Sequence, residues 1–207
     1  PKEVLISEMV EHQKYFPLEK SDGTLLNYFV ITANNTPNET ILKGNQKVLS
    51  ARLSDGVFLY EQDLKHSLDD FNKKLTQVTY QKELGSVFKK VQRIKTNVTI
   101  LQKHLQIGSL DKAQRAAELC KADLASELVG EFPELQGTIG KYYALAQGED
   151  PEVAEAIDEH WMPRNEKAPL PETQTGLLLS LADKIDNLIS CFSIGLKPSS
   201  SSDPYAL

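Results

Sequence analysis

Residues 85–108 read GSVFKKVQRIKTNVTILQKHLQIG, and their spacing decides the fold. Val87, Val91, Ile94, Val98, Leu101 and Leu105 recur every three or four positions, which is the buried stripe of an amphipathic helix. Gly108 stops it. Ser109 is placed to cap the next helix, with Asp111 in its first turn and an expected run to about Val129. Further on, Asp150-Pro151 marks another helix start, 165–176 is a proline-broken loop, and 175–195 carries the apolar positions Leu178, Leu181, Ile185, Leu188 and Phe192.

Working back towards the N-terminus, residues 3–13 have helical spacing and 15–34 read as a hairpin turning at Ser21-Asp22-Gly23. Residues 38–75 read mostly as helix, interrupted by Gly44 and Gly56. The expected fold is mainly α: a small α+β piece, then a bundle of five or six helices, joined near 64–84.

A chain of 207 residues with 40% hydrophobic and 25% charged residues can bury a real core. No apolar run approaches the ~20 residues that cross a bilayer. Cys120 and Cys191 sit among apolar neighbours and read as reduced core residues of a cytoplasmic chain. The net charge of −6 argues against a generic polyanion binder, but it is uneven: +3 over residues 1–110 and −9 over 111–207. The densest basic run, FKKVQRIK at 88–95, lies in a stretch without acid between Ser86 and Leu110. Nucleic acid, if bound, belongs on that half.

Chemistry candidates are few. In VGEFPELQGTIGKYYALAQGE (129–149), Pro133 suits a first helical turn, with Glu131 and Glu134 at the positive end of the dipole. Leu135, Ile139 and Tyr142 would form the buried side, and Gly137 and Gly140 a seam for a close neighbour. Asp183 and Asp186, three apart in LADKIDN, read as a surface pair facing away from the leucine stripe. The histidines are scattered, and no phosphate-cradling glycine loop, nucleophile elbow or zinc box occurs.

Several stretches together resemble one family. EMVEHQKYFPL, ILKGNQKVLSARLSDGVFLYEQDL, YQKELGSVFKKVQRI, CKADLASELVGEFPELQGTIGKYYALAQGE, VAEAIDEHWMPR, LADKIDNLISCFSIGLKP and the terminal DPYAL are similar, colinearly, to the β subunit of bacterial glycyl-tRNA synthetase. The resemblance implies an internal fragment of a ligase that joins glycine to tRNA(Gly). ATP, Mg and glycine would be bound elsewhere, on an α subunit or fused α region, leaving this fragment no cofactor, no catalytic residue and no membrane contact. It implies that 1–66 is the end of a module like the B3/B4 editing domain of phenylalanyl-tRNA synthetase. Residues 67–207 would be a helical domain related to the histidine-aspartate (HD) phosphohydrolases.

That kinship puts Lys121, Asp123 and Asp183 at the degenerate metal positions, with Arg93 and Lys95 where the first helix would offer a ligand histidine. Lysines there would repel a cation, so no metal is expected. The expected tRNA contacts are Lys89, Lys90, Arg93, Lys95 and Lys103, then Lys43, Lys47 and Arg52. The competing reading is a metal-dependent phosphohydrolase acting on a nucleotide or an RNA end.

Overall fold

The computed structural model describes residues 1–36 and 38–198; the DPYAL motif lies outside them. Helix α1 (Lys2–Ser7) runs on into a π-helical turn over Glu8–His12. Strands β1 (Phe16–Glu19) and β2 (Leu25–Val30) form the antiparallel hairpin read from the sequence, and Gly23 takes the left-handed conformation its turn requires, φ +78°.

Helix α2 (Glu39–Asp63) is 25 residues long and is capped by Asn38, whose side chain accepts from the Ile41 amide. The expected helix to residue 75 is interrupted. Ser67 Oγ accepts from the Asp70 amide and starts a separate α3 (Leu68–Lys74), so local capping overrides the apolar periodicity. A second small hairpin, β3 (Thr79–Gln81) with β4 (Gly85–Ser86), stands where only helix was expected.

Helix α4 (Val87–Leu105) occupies most of the 85–108 stretch. Val87, Val91, Ile94 and Val98 are buried as the spacing requires, whereas Leu105 is exposed. Helix α5 (Leu110–Leu119) is capped by Ser109. Its buried Ala113, Ala116 and Ala117 form a thin face on which α4 and two later helices close. It stops at Cys120 rather than Val129. A 3₁₀ turn (Ala122–Ala125), α6 (Glu127–Glu131) and a second 3₁₀ turn (Pro133–Leu135) follow.

Helix α7 (Thr138–Ala146) starts only after Gly137, which sits at φ +83°. Pro133 therefore opens a single 3₁₀ turn, and Glu131 ends the preceding helix. Tyr143, not Tyr142, is the buried tyrosine. The glycine seam is real: a Cβ on Gly140 would stand 2.8 Å from Ile157 Cγ2 and 3.1 Å from the Asp123 carboxylate. Helices α8 (Pro151–Glu159) and α9 (Gln174–Ser193) complete the bundle.

Three buried acids bind the pieces together through helix N-termini. Asp63, at the end of α2, accepts from the Glu127 and Leu128 amides at 3.0 and 2.9 Å and from the Tyr143 hydroxyl at 2.7 Å. Asp123 accepts from the Gly137 and Gly140 amides at 2.6 and 3.2 Å. Glu159 accepts from the Glu172 amide at 2.7 Å and from the amide and hydroxyl of Thr173, the residue that caps α9. A helix N-terminus leaves unpaired amides; Asp63 and Asp123 each satisfy two of them inside the protein, and Glu159 satisfies that of the cap residue Thr173 with the Glu172 amide just before it.

Candidate nucleic-acid interface

Helix α4 presents two faces that do different work. Its inner polar edge meets α9. Lys90 is 3% exposed, and its Nζ lies 2.7 Å from Asp183 Oδ1, 3.1 Å from Asp186 Oδ2 and 2.6 Å from Asn187 Oδ1. It also stands 4.8 Å from the centre of the Tyr80 ring. Arg93 grips Asp186 with both arms, Nε at 2.6 Å and Nη2 at 3.1 Å. Burial opposes the charge on Lys90, but Asp183 and Asp186 outweigh it and raise its pKa.

Lys90 is thus no surface cation, and the guanidinium of Arg93 is already committed inside the protein. Asp183 and Asp186, read from sequence as a surface pair, face the core. The stripe assigned to α9 is split: Leu178 is buried in the core and Ile185 half-buried, whereas Leu181, Leu188 and Phe192 are exposed. The reason is pairing: a Lys-x-x-Arg on α4 matches an Asp-x-x-Asp on α9, so that Lys90, Asp183 and Asp186 can be buried with their charges matched while Arg93 stays half-buried at the edge. That matched spacing was the available signal.

Lys121 completes the cluster. Its ammonium is 2.7 Å from Asp183 Oδ2 and 3.7 Å from the centre of the Trp161 ring. Burial pushes the Asp183 carboxyl up, yet Lys121 and Lys90 outweigh it and hold the group well below the carboxylate range. His160 lies beside them, its Nδ1 bonded to the Ile157 carbonyl at 2.6 Å; burial and then Lys121 keep the ring neutral.

Of the three positions set by resemblance at a degenerate metal site, Lys121 and Asp183 are in contact, whereas Asp123 is tied to the start of α7. The first-helix residue facing Asp183 is Lys90 rather than Arg93 or Lys95. Among the described residues no three His, Cys, Asp or Glu side chains converge as metal ligands. Each oxygen of Asp183 already meets an ammonium, a donor set that attracts no divalent cation.

The outer face of α4 is open. Lys89, Gln92, Thr96, Lys103 and His104 are exposed along it, and no carboxylate lies within ion-pair distance of Lys89 or Lys103 among the described residues. Lys95 leans on Glu118 at 3.5 Å. On α2, Lys43 meets Glu39 at 2.7 Å and Arg52 meets Asp55 at 4.0 Å, while Lys47 is exposed without an ion pair among the described residues.

The bundle thus pairs its buried lysines with aspartates between α4, α9 and the 3₁₀ turn, and leaves Lys89 and Lys103 exposed on the outer side of α4. The family model for the glycyl-tRNA synthetase beta subunit matches residues 1–207. The glycine–tRNA ligase beta subunits of Halalkalibacterium halodurans and Geotalea daltonii are 48% and 50% identical over 211 and 210 residues. Each match covers all of this chain and 30% of the relative. A glycine–tRNA ligase of Chlamydia pneumoniae is 46% identical over 208 residues, and 20% of its length is covered. The chain belongs to the glycyl-tRNA synthetase β-subunit family and spans less than a third of the relatives it matches.

Proposed function

We propose that this chain is the part of a glycine–tRNA ligase β subunit that holds tRNA(Gly) during ATP-dependent glycylation. In this reading ATP, Mg and glycine are bound outside the chain, on an α subunit or fused α region, and the assembly works in the cytoplasm. No described helix is long and apolar enough to cross a membrane. The two-part division, 1–66 as the end of an editing-module-like unit and 67–207 as an HD-like unit, belongs to the same proposal.

The observation that carries it is the outer face of α4, where Lys89 and Lys103 stand free with no acid between Ser86 and Leu110. Phosphate contacts of this kind orient an RNA without reading its sequence. The phosphohydrolase alternative finds no support in the buried cluster, because its central aspartate is already neutralised by lysines.

The test is tRNA binding against salt concentration. Lys89→Ala and Lys103→Ala should each weaken binding and lower the slope of log K against log salt by about one. Unchanged affinity and slope in the double variant would remove α4 from the interface. Lys90→Ala is unsuitable, because it disrupts the core.

A further inference from the structure

We propose that the concavity between β2 and α2 is a subsite for one unpaired nucleotide of an RNA chain. The inference rests on the tRNA reading and adds the place where a base is taken.

The hollow has a volume of about 290 Å³ and is lined by Asn27, Tyr28, Phe29, Leu42, Asn45 and Gln46, together with Ile31. That is near the lower end for small-ligand pockets and suits a single base. Its floor is fixed before anything binds. Phe29 stacks on Tyr15, with ring centres 5.2 Å apart and planes within 17°. The Tyr15 hydroxyl donates to Asn45 Oδ1 at 2.7 Å, and Asn45 Nδ2 donates to the Ile41 carbonyl at 2.9 Å.

The rim is unused by the fold. Tyr28 is 71% exposed, an aromatic face left in water on a strand whose other aromatic is packed. The Asn27 and Gln46 side chains are exposed and make no hydrogen bond among the described residues. Each primary amide offers a donor and an acceptor together, the pairing that a base edge presents. No acidic residue lines the hollow, and Lys47, which has no ion pair among the described residues, lies on the same helix beside the Glu39-paired Lys43. An aromatic platform, amides and nearby cations are the parts by which single-stranded RNA is held. An apolar peptide would leave the amides unpaired.

The probe is a labelled single-stranded RNA pentanucleotide, with a duplex of the same length as control, titrated by anisotropy. Tyr28→Ala should weaken single-strand binding roughly 5- to 150-fold, the range for loss of one stacking platform. Tyr28→Phe should keep the affinity, and duplex binding should not respond to either change. Asn27→Ala and Gln46→Ala should alter the ranking of the four homo-oligonucleotides.

Equal single-strand binding by wild type and Tyr28→Ala would overturn the proposal. So would a full-length β subunit in which Tyr28 resists tyrosine modification without RNA, since protein would then occupy the hollow. Loss of tRNA affinity in the α4 lysine variants with none in Tyr28→Ala would leave the tRNA reading standing and the pocket refuted. The reverse pattern would support the pocket and remove α4.

Discussion

Asp123 and Asp183 are both buried, both feel the charge of Lys121, and both sit at positions that resemblance assigns to a degenerate metal site. They are held in opposite ways. Asp183 is gripped by the ammonium ions of Lys90 and Lys121 and stays ionised. Among the described residues Asp123 has only the amides of Gly137 and Gly140 on one oxygen, and its Oδ1 has no partner. Burial pushes the Asp123 carboxyl up to about 6, against the pull of those amides and of Lys121. Full charges outweigh the desolvation of a carboxylate here; two peptide dipoles do not.

The largest loss of stability is expected from Asp183→Ala. It leaves Lys121 with no carboxylate partner and Lys90 with Asp186 alone, so urea unfolding should show a loss of about 3–5 kcal/mol. A loss below about 1 kcal/mol would mean that water reaches the cluster and that its charges are not truly buried. Gly140→Ala attacks the other carboxylate through sterics. The added methyl meets Ile157 Cγ2 at 2.8 Å, and overpacking of this kind costs about 1–3 kcal/mol. A neutral Gly140→Ala would show that α7 and α8 can separate at no cost, contrary to the seam.

Acidity separates the two residues further. An Asp123 carboxyl raised from about 3.9 in the unfolded chain to about 6 favours the fold fully below about pH 4. That contribution is lost as pH rises to about 6 and amounts to about 3 kcal/mol. Asp183, held low, contributes above the ordinary carboxylate range and loses that contribution only as pH falls below about 4. Asp123→Asn should therefore remove the fall in stability between about pH 4 and 6 while leaving the acid limb intact. Trp161 fluorescence during urea unfolding at a series of pH values reads the difference. Superimposable profiles for wild type and Asp123→Asn would show that the amides keep Asp123 ionised throughout.

The bundle was legible because α4 carries an uninterrupted stripe and because Ser109 and Asp150 are unambiguous caps. The breaks at Ser67 and Cys120 were not, since periodicity passes through both and only side-chain capping and tertiary contact divide them. The site was read less well for a different reason. A lysine on a helix looks the same in sequence whether it faces water or an aspartate on another helix, so only the matched spacing of Lys90 and Arg93 with Asp183 and Asp186 separates Lys90 from Lys89. Pairing is a property of two segments, and α4 and α9 are about 90 residues apart. For α9 the apolar letters pointed only partly the right way: Leu178 is buried, but Leu181, Leu188 and Phe192 look outward because Asp183 and Asp186 have partners and therefore face inward.

Arg115 supplies the smallest and most discriminating contrast with Asp183. It also gathers several carboxylates, reaching Asp69 with two nitrogens at 2.9 Å, Glu149 at 2.6 Å and Glu118 at 3.3 Å. It does so at the surface, with about a third of its side chain exposed. Water and salt screen such a pair, and the released carboxylates can be solvated where they stand. Arg115→Ala should then cost about 1 kcal/mol in dilute buffer and noticeably less in 1 M salt. The loss from Asp183→Ala should barely respond to salt, because ions do not enter the α4–α9 contact. Equal salt sensitivity in the two variants would mean that burial is not what distinguishes them, and the internal pairing of Lys90 would lose its force as the reason this lysine is withheld from RNA.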